Sequence, residues 1–166
     1  MELIGGIDLG GTKIQAVVVG EAHEVLGQAR RPTPRDGGPS GVATAMVDTL
    51  ADAAAQAQLP PASLAGVGVG SPGAVDAEAG TVAHARNLPM WEEPFPLAEI
   101  LSRAIGSPVA LGNDVQVAVD AEFALGAGRP YSSVLGVFWG TGVGGASFST
   151  ASRGSGAEPQ ESSVTW

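Results

Sequence analysis

Apolar runs and glycine- or proline-rich breaks alternate along the chain in a way that separates strands from helices. Leu3 to Leu9 and Ile14 to Val19 read as two strands, and Glu24 to Arg31, with weaker alternation, as a third. Short connections make the three an antiparallel meander. Pro32 to Gly41 holds three prolines and three glycines and is expected to be a loop. From Gly41 to Gln58, Val42, Ala45, Met46, Leu50, Ala53, Ala54 and Ala57 recur at helical spacing. Ser40 is the candidate N-cap of that helix, and Pro60-Pro61 ends it.

Leu64 to Val69 is a short apolar strand of the buried type, closed by Gly70-Ser71-Pro72-Gly73. A hairpin is expected over Ala74 to Ala85, with Glu78-Ala79-Gly80 as its turn. Phe95 to Ile105 reads as a helix ending at Gly106, and Val109 to Leu111 as a strand. Asn113-Asp114 then opens a helix reaching about Leu125, and Val134 to Trp139 is a further strand. The order βββαβαβαβ predicts a mixed α/β layout whose later strands are parallel and joined by helices. From Ala146 the periodicity fades, and Ser147 to Trp166 contains six serines and two threonines.

The composition narrows the function classes. Hydrophobic residues make up 44% of 166, enough for one core. A net charge of −9 with only eight Lys and Arg provides no basic surface, which argues against a nucleic-acid or anionic-membrane partner. With no cysteine, disulfides and thiolate metal sites are excluded for this chain. No signal-peptide pattern precedes the first strand and no apolar run reaches membrane-spanning length, so a cytoplasmic protein is expected. His23 and His84 lack partners at metal-ligand spacing and are taken as surface residues.

The chemistry concentrates at two glycine-rich segments, each directly after an apolar run: Asp8-Leu9-Gly10-Gly11-Thr12-Lys13 and Gly140-Thr141-Gly142-Val143-Gly144-Gly145. Glycine lets a backbone turn sharply and aim several N–H groups at one anion. The first segment is not a Walker A loop, whose spacing differs, but it brings backbone amides, the Thr12 hydroxyl and the Lys13 ammonium together. Asp8 could hold Mg²⁺ through water. A plain hairpin turn with Gly-Gly at its tip explains the same residues equally well.

Gly140 to Gly145 and Gly68 to Gly73 both fit G-x-G-x-x-G, but a dinucleotide fingerprint must open a helix and neither does, which demotes an NAD-binding reading. Asn113-Asp114, at a strand end and a helix start, stands where ligands meet α/β sheets. A carboxylate there can take a proton from an attacking hydroxyl; an ordinary Asx helix cap is the competing reading. Arg86-Asn87-Leu88-Pro89-Met90-Trp91 sets polar groups beside an aromatic, which suits a sugar or simple loop packing.

Together these segments resemble the ROK family of sugar kinases and repressors, within the actin-like ATPase superfamily. The matching stretches are DLGGTK (Asp8 to Lys13), GVGSPGAVD (Gly68 to Asp76), RNLPMW (Arg86 to Trp91), NDVQVAVDAEFALGAG (Asn113 to Gly128) and GTGVGG (Gly140 to Gly145). Five motifs in family order are specific where each alone is not. The resemblance implies a ribonuclease-H-like lobe over residues 1–145, an α/β fold with a mixed sheet flanked by helices. It implies ATP as phosphoryl donor with Mg²⁺, and a sugar as acceptor, with a sugar 6-phosphate as the usual product. Asp8, Gly10, Gly11, Thr12 and Lys13 would form the first phosphate loop, and Gly140, Thr141, Gly142, Gly144 and Gly145 the second. Asp114 would be the base, with Asn87, Asn113 and Gly73 also on the sugar. Family members are often homodimers.

The chain departs from the family after residue 145. The expected C-terminal lobe, with a Glu-x-Gly-His sugar motif, a zinc site and the adenosine pocket, has no counterpart in residues 146–166, and the DNA-binding segment of the repressor branch is not expected ahead of the first strand. Residues 146–166 are read as a non-family tail out of frame. Permitted codons for Ala146 to Gly154, shifted by one base, spell Leu-Ile-Leu-Asp-Gly-Lys-Pro-Trp, and the shifted continuation can contain Glu-Leu-Gly-His. The expectation is therefore a glucokinase-type lobe, weakly active or inactive alone; a fragment of a non-catalytic, sugar-sensing ROK regulator is the alternative.

Overall fold

The computed structural model describes residues 2–139 and 143–149. The chain forms two compact units, 1–113 and 114–166. The first holds β1 (Ile4–Leu9), β2 (Lys13–Val19), β3 (Val25–Pro32), α1 (Gly38–Gln56), β4 (Gly66–Ser71), β5 (Ala74–Asp76), β6 (Thr81–Ala83), α2 (Leu97–Ile105) and β7 (Val109–Asn113). The second holds α3 (Asp114–Ala124), β8 (Ser133–Trp139) and β9 (Val143–Ser149).

A five-stranded sheet in the order β3-β2-β1-β4-β7 organises the first unit. The meander expected from the short connections is present: β1 pairs antiparallel with β2, and β2 with β3. β4 joins β1 in parallel and β7 joins β4 in parallel, as strands returned by helical crossovers should. Gly5, Ile7 and Leu9 of β1 alternate with exposed or half-buried neighbours, as do Ile14, Ala16 and Val18 of β2. These buried sets form a core with Val42, Met46, Leu50, Ala53 and Ala54 of α1 and Leu97, Leu101 and Ile105 of α2.

Two element starts differ from the sequence expectation. Ser40 does not cap α1: the helix begins at Gly38 behind Gly37, whose φ is 83°, with Pro39 in the first turn. Proline lacks the N–H that a first turn leaves unpaired, so the helix nucleates ahead of Ser40. α2 begins at Leu97, not Phe95. Phe95 precedes a proline, which favours extended backbone, and it pairs instead with Val82. The hairpin is present as β5 and β6, its turn closed by the Ala79 N–H donating to Asp76 Oδ1 at 2.8 Å.

In the second unit β8 and β9 pair antiparallel, with Val137 opposite Gly145 and Phe138 opposite Gly144. Of the second glycine segment, Val143, Gly144 and Gly145 belong to β9, and Gly140, Thr141 and Gly142 lie outside the described residues. β9 runs on to Ser149. No helix among the described residues is long and apolar enough to cross a membrane.

The contact between α1 and β3 is close enough to demand glycine at one place. A Cβ on Gly27 would lie 2.1 Å from the Ala53 carbonyl oxygen, which is helix backbone and cannot swing aside. Gly27→Ala should therefore destabilise the chain by about 1–3 kcal/mol, the usual cost of overpacking. Equilibrium urea unfolding measures it, and an unchanged midpoint would show that β3 and α1 are not packed this way.

Candidate functional site

The parallel register of β1, β4 and β7 brings three of the sequence-predicted segments to one edge of the sheet. Asp8 is paired with Gly70, Gly70 with Gly112, and Ser71 with Asn113. The C-terminal ends of the three strands thus lie side by side. They lead into Gly10 to Thr12, into Pro72-Gly73, and into the Asn113–Asp114 junction. In parallel α/β sheets this edge is where ligands bind, because strand ends and helix starts point their polar backbone groups there.

Asp8 sits on the sheet face opposite the buried Ile7 and Leu9, and it is exposed. Its register partners on the parallel side, Gly70 and then Gly112, carry no side chains.

The Gly10–Thr12 turn is the tip of a β1–β2 hairpin, and its hydrogen bonds are directed inward. The Gly10 N–H donates to the Lys13 carbonyl at 2.9 Å. Thr33, 6% exposed, donates its hydroxyl to the Gly10 carbonyl at 2.6 Å and its N–H to the Thr12 carbonyl at 3.1 Å. Among the described residues the N–H groups of Gly11 and Thr12 have no acceptor. The hairpin and anion-loop readings are therefore compatible: the same turn engages three carbonyls and leaves two amides without an acceptor among the described residues, which is what an anion needs.

Asn87 belongs to this cluster through a contact that no sequence spacing reveals. A Cβ on Gly11 would lie 2.8 Å from the Asn87 carbonyl oxygen and 2.9 Å from the Asn87 Cβ. The glycine turn and the Arg86–Trp91 loop are thus in direct backbone contact, with Asn87 itself exposed. Trp91, by contrast, is core and not a sugar platform. It is 1% exposed, its indole N–H donates to the Val82 carbonyl at 2.9 Å, and its ring meets Phe95 edge-on at 5.5 Å. A large aromatic with one polar group buries itself when that group finds a carbonyl.

Gly73 adopts φ 92°, and a Cβ there would lie 2.6 Å from the Ala83 carbonyl oxygen. Gly68 to Ser71 stay within β4, and Gly73 leads into β5, so no helix opens from this segment. Asp114 is the first residue of α3 in the second unit, its Oδ1 accepting the Val115 N–H at 2.9 Å. Gly144 and Gly145 are strand residues of β9. His23 and His84 are exposed. The sequence reading missed Thr33; the signal was a β-branched hydroxyl residue just beyond β3, level with the turn between β1 and β2.

Residues 4–158 match the family model described as ROK family, and the chain belongs to that family. It is 36% identical over 145 residues to a glucokinase of Streptomyces coelicolor, covering 87% of this chain and 43% of that protein. It is 34% identical over 140 residues to a glucokinase of Thermotoga maritima, covering 84% of this chain and 42% of the relative. Among solved structures it is similar to a ROK family glucokinase from Streptomyces griseus in complex with glucose and AMPPNP, with TM-score 0.74 and 34% identity over 86% of this chain and 43% of that one. A ROK transcriptional regulator, a homolog of the E. coli MLC protein, shares the fold alone at 19% identity and TM-score 0.73. The fold is that of the actin-like ATPases, and the chain spans less than half the length of these glucokinases.

The close approach at Gly11 gives a direct check on the cluster. Gly11→Ala should shift amide resonances in both the 10–13 and 86–88 segments and cost about 1–3 kcal/mol. Shifts confined to residues 10–13 in two-dimensional NMR spectra would mean that the two loops do not touch.

Proposed function

We propose that this chain is the N-terminal lobe of an ATP-dependent hexose kinase of the glucokinase type, which transfers the terminal phosphoryl group of ATP to a sugar hydroxyl. The observation that carries this reading is the shared strand edge, where the inward-tied Gly10–Lys13 turn, Gly73 and Asn113 stand together with Asn87 against Gly11. A sugar loop touching a phosphate loop is what direct transfer between two substrates needs, since such catalysis is mostly positioning and charge stabilisation. Similarity to two glucokinases, and to a glucokinase bound to glucose and AMPPNP, supports the same choice of substrates.

In this reading the amides of Gly11 and Thr12, the Thr12 hydroxyl and the Lys13 ammonium bind phosphate oxygens. Gly140, Thr141, Gly142, Gly144 and Gly145 form the second phosphate loop. Asn87, Asn113 and Asp114 bond sugar hydroxyls, and Gly73 lets the chain pass close to the ring. Asp114 accepts the hydroxyl proton as the sugar oxygen bonds to phosphorus and the bond from phosphorus to the ADP oxygen breaks. Mg²⁺, held through water by Asp8, would neutralise charge on the phosphates. The neighbouring strand positions Gly70 and Gly112 add no side chain beside Asp8, which supports this placement. Residues 146–166 are proposed to be out of frame, and a homodimer is proposed for the complete protein.

Glucose-dependent ADP release by the purified 166-residue chain should stand at background, and robust turnover would contradict the single-lobe reading. The nucleotide sequence downstream of codon 144 should encode Glu-x-Gly-His in the shifted frame, and its absence ends the out-of-frame proposal. With that frame restored, Asp114→Asn should lower kcat about 10²–10⁴-fold, the usual worth of a general base, while glucose binding survives. ATP binding without sugar phosphorylation by the restored protein would favour the sugar-sensing regulator.

A further inference from the structure

We propose that Thr33 is the positioning residue of the first phosphate loop, holding the Gly10 carbonyl inward so that the N–H of the same peptide unit, on Gly11, faces the phosphate; this rests on the phosphate-loop reading above. An anion site made of backbone is decided by orientation, because each peptide group that offers an N–H also carries a C=O that repels the anion. Around this turn three carbonyls have been removed from play. Lys13 O is taken by the Gly10 N–H at 2.9 Å, Gly10 O by the Thr33 hydroxyl at 2.6 Å, and Thr12 O by the Thr33 N–H at 3.1 Å. Thr33 thus supplies two of the three anchors, one of them from its side chain.

Its location suits that task. Thr33 is 6% exposed and lies directly after Pro32, which pairs with Lys13 at the end of the β2–β3 ladder. The Thr33-to-Thr12 bond therefore continues the ladder by one step, and the hydroxyl reaches across to the residue that starts the turn. Gly11 cannot retreat toward the protein because the Asn87 backbone stands behind it. The Gly10–Gly11 peptide unit, its carbonyl held by the Thr33 hydroxyl, turns the Gly11 N–H the opposite way.

The test is binding of inorganic tripolyphosphate to the 166-residue chain, followed by amide shifts of Gly11 and Thr12 at a temperature where every variant is folded. Wild type and Thr33→Ser should bind alike. Thr33→Val, which keeps the shape and loses the donor, should bind about tenfold more weakly, the equivalent of about 1.4 kcal/mol. Thr33→Cys, a weak donor of similar size, should fall between them and serves if Thr33→Val does not fold. A residue that mattered only for stability would lower Tm and leave the dissociation constant unchanged. Equal affinity in the Ser, Cys and Val variants overturns the role of Thr33 and leaves the loop reading standing. No saturable shift in the wild type overturns the loop reading, and this proposal with it.

Discussion

The structure depends on β1 having two different faces and a different partner on each edge. On one face Gly5, Ile7 and Leu9 seat the strand against the core, where a side chain on Gly5 would meet Leu50 and Leu64 at 3.2 and 3.1 Å. On the other face Asp8 is exposed beside the glycines of β4 and β7. Along one edge β1 turns back into β2, and along the other it runs parallel to β4. One central strand therefore anchors the core, ends in a tight turn and aligns that turn with the ends of its parallel neighbours.

The tight turn illustrates how packing and chemistry share residues. Gly11 has no room for a Cβ because Asn87 is behind it, and Gly73 has none because Ala83 is. Both glycines allow one segment of backbone to lie directly on another. The result is a set of loops in close contact, with the Gly10–Thr12 turn tied further by two hydrogen bonds from Thr33. Preorganised amides of this kind bind an anion without further ordering of the chain, which is the condition under which such dipoles are most effective.

Much of this was legible in the sequence. The three-strand meander, the buried β4, the hairpin after Gly73, the parallel entry of β7 and the start of α3 at Asp114 all follow from periodicity and from turn residues. The helix starts were less legible because proline chemistry overrode the apparent signals at Ser40 and Phe95. Site residues carried by glycine turns could be marked, but their contacts could not, since Gly11 meets Asn87 across 76 positions of sequence. The aromatic of the Arg86–Trp91 loop suited a sugar or plain packing equally in sequence, and the structure decides for the core, because only the fold reveals that the Val82 carbonyl awaits its indole. Thr33 carried no motif at all; its meaning comes from the register of β2 with β3.

The central claim is that the shared end of β1, β4 and β7 receives a nucleotide phosphate chain. Paramagnetic broadening by Mn²⁺·ATP measures it residue by residue, in the manner expected of an ion within a few ångströms of particular amides. The account predicts that the amides of residues 10–13 broaden first, with those of residues 71–73 and 113 next. The β2–β3 turn at residues 20–24, at the opposite end of the hairpin, should keep its intensity. Selective broadening at residues 20–24, or a uniform loss with no preference for the strand ends, would contradict it.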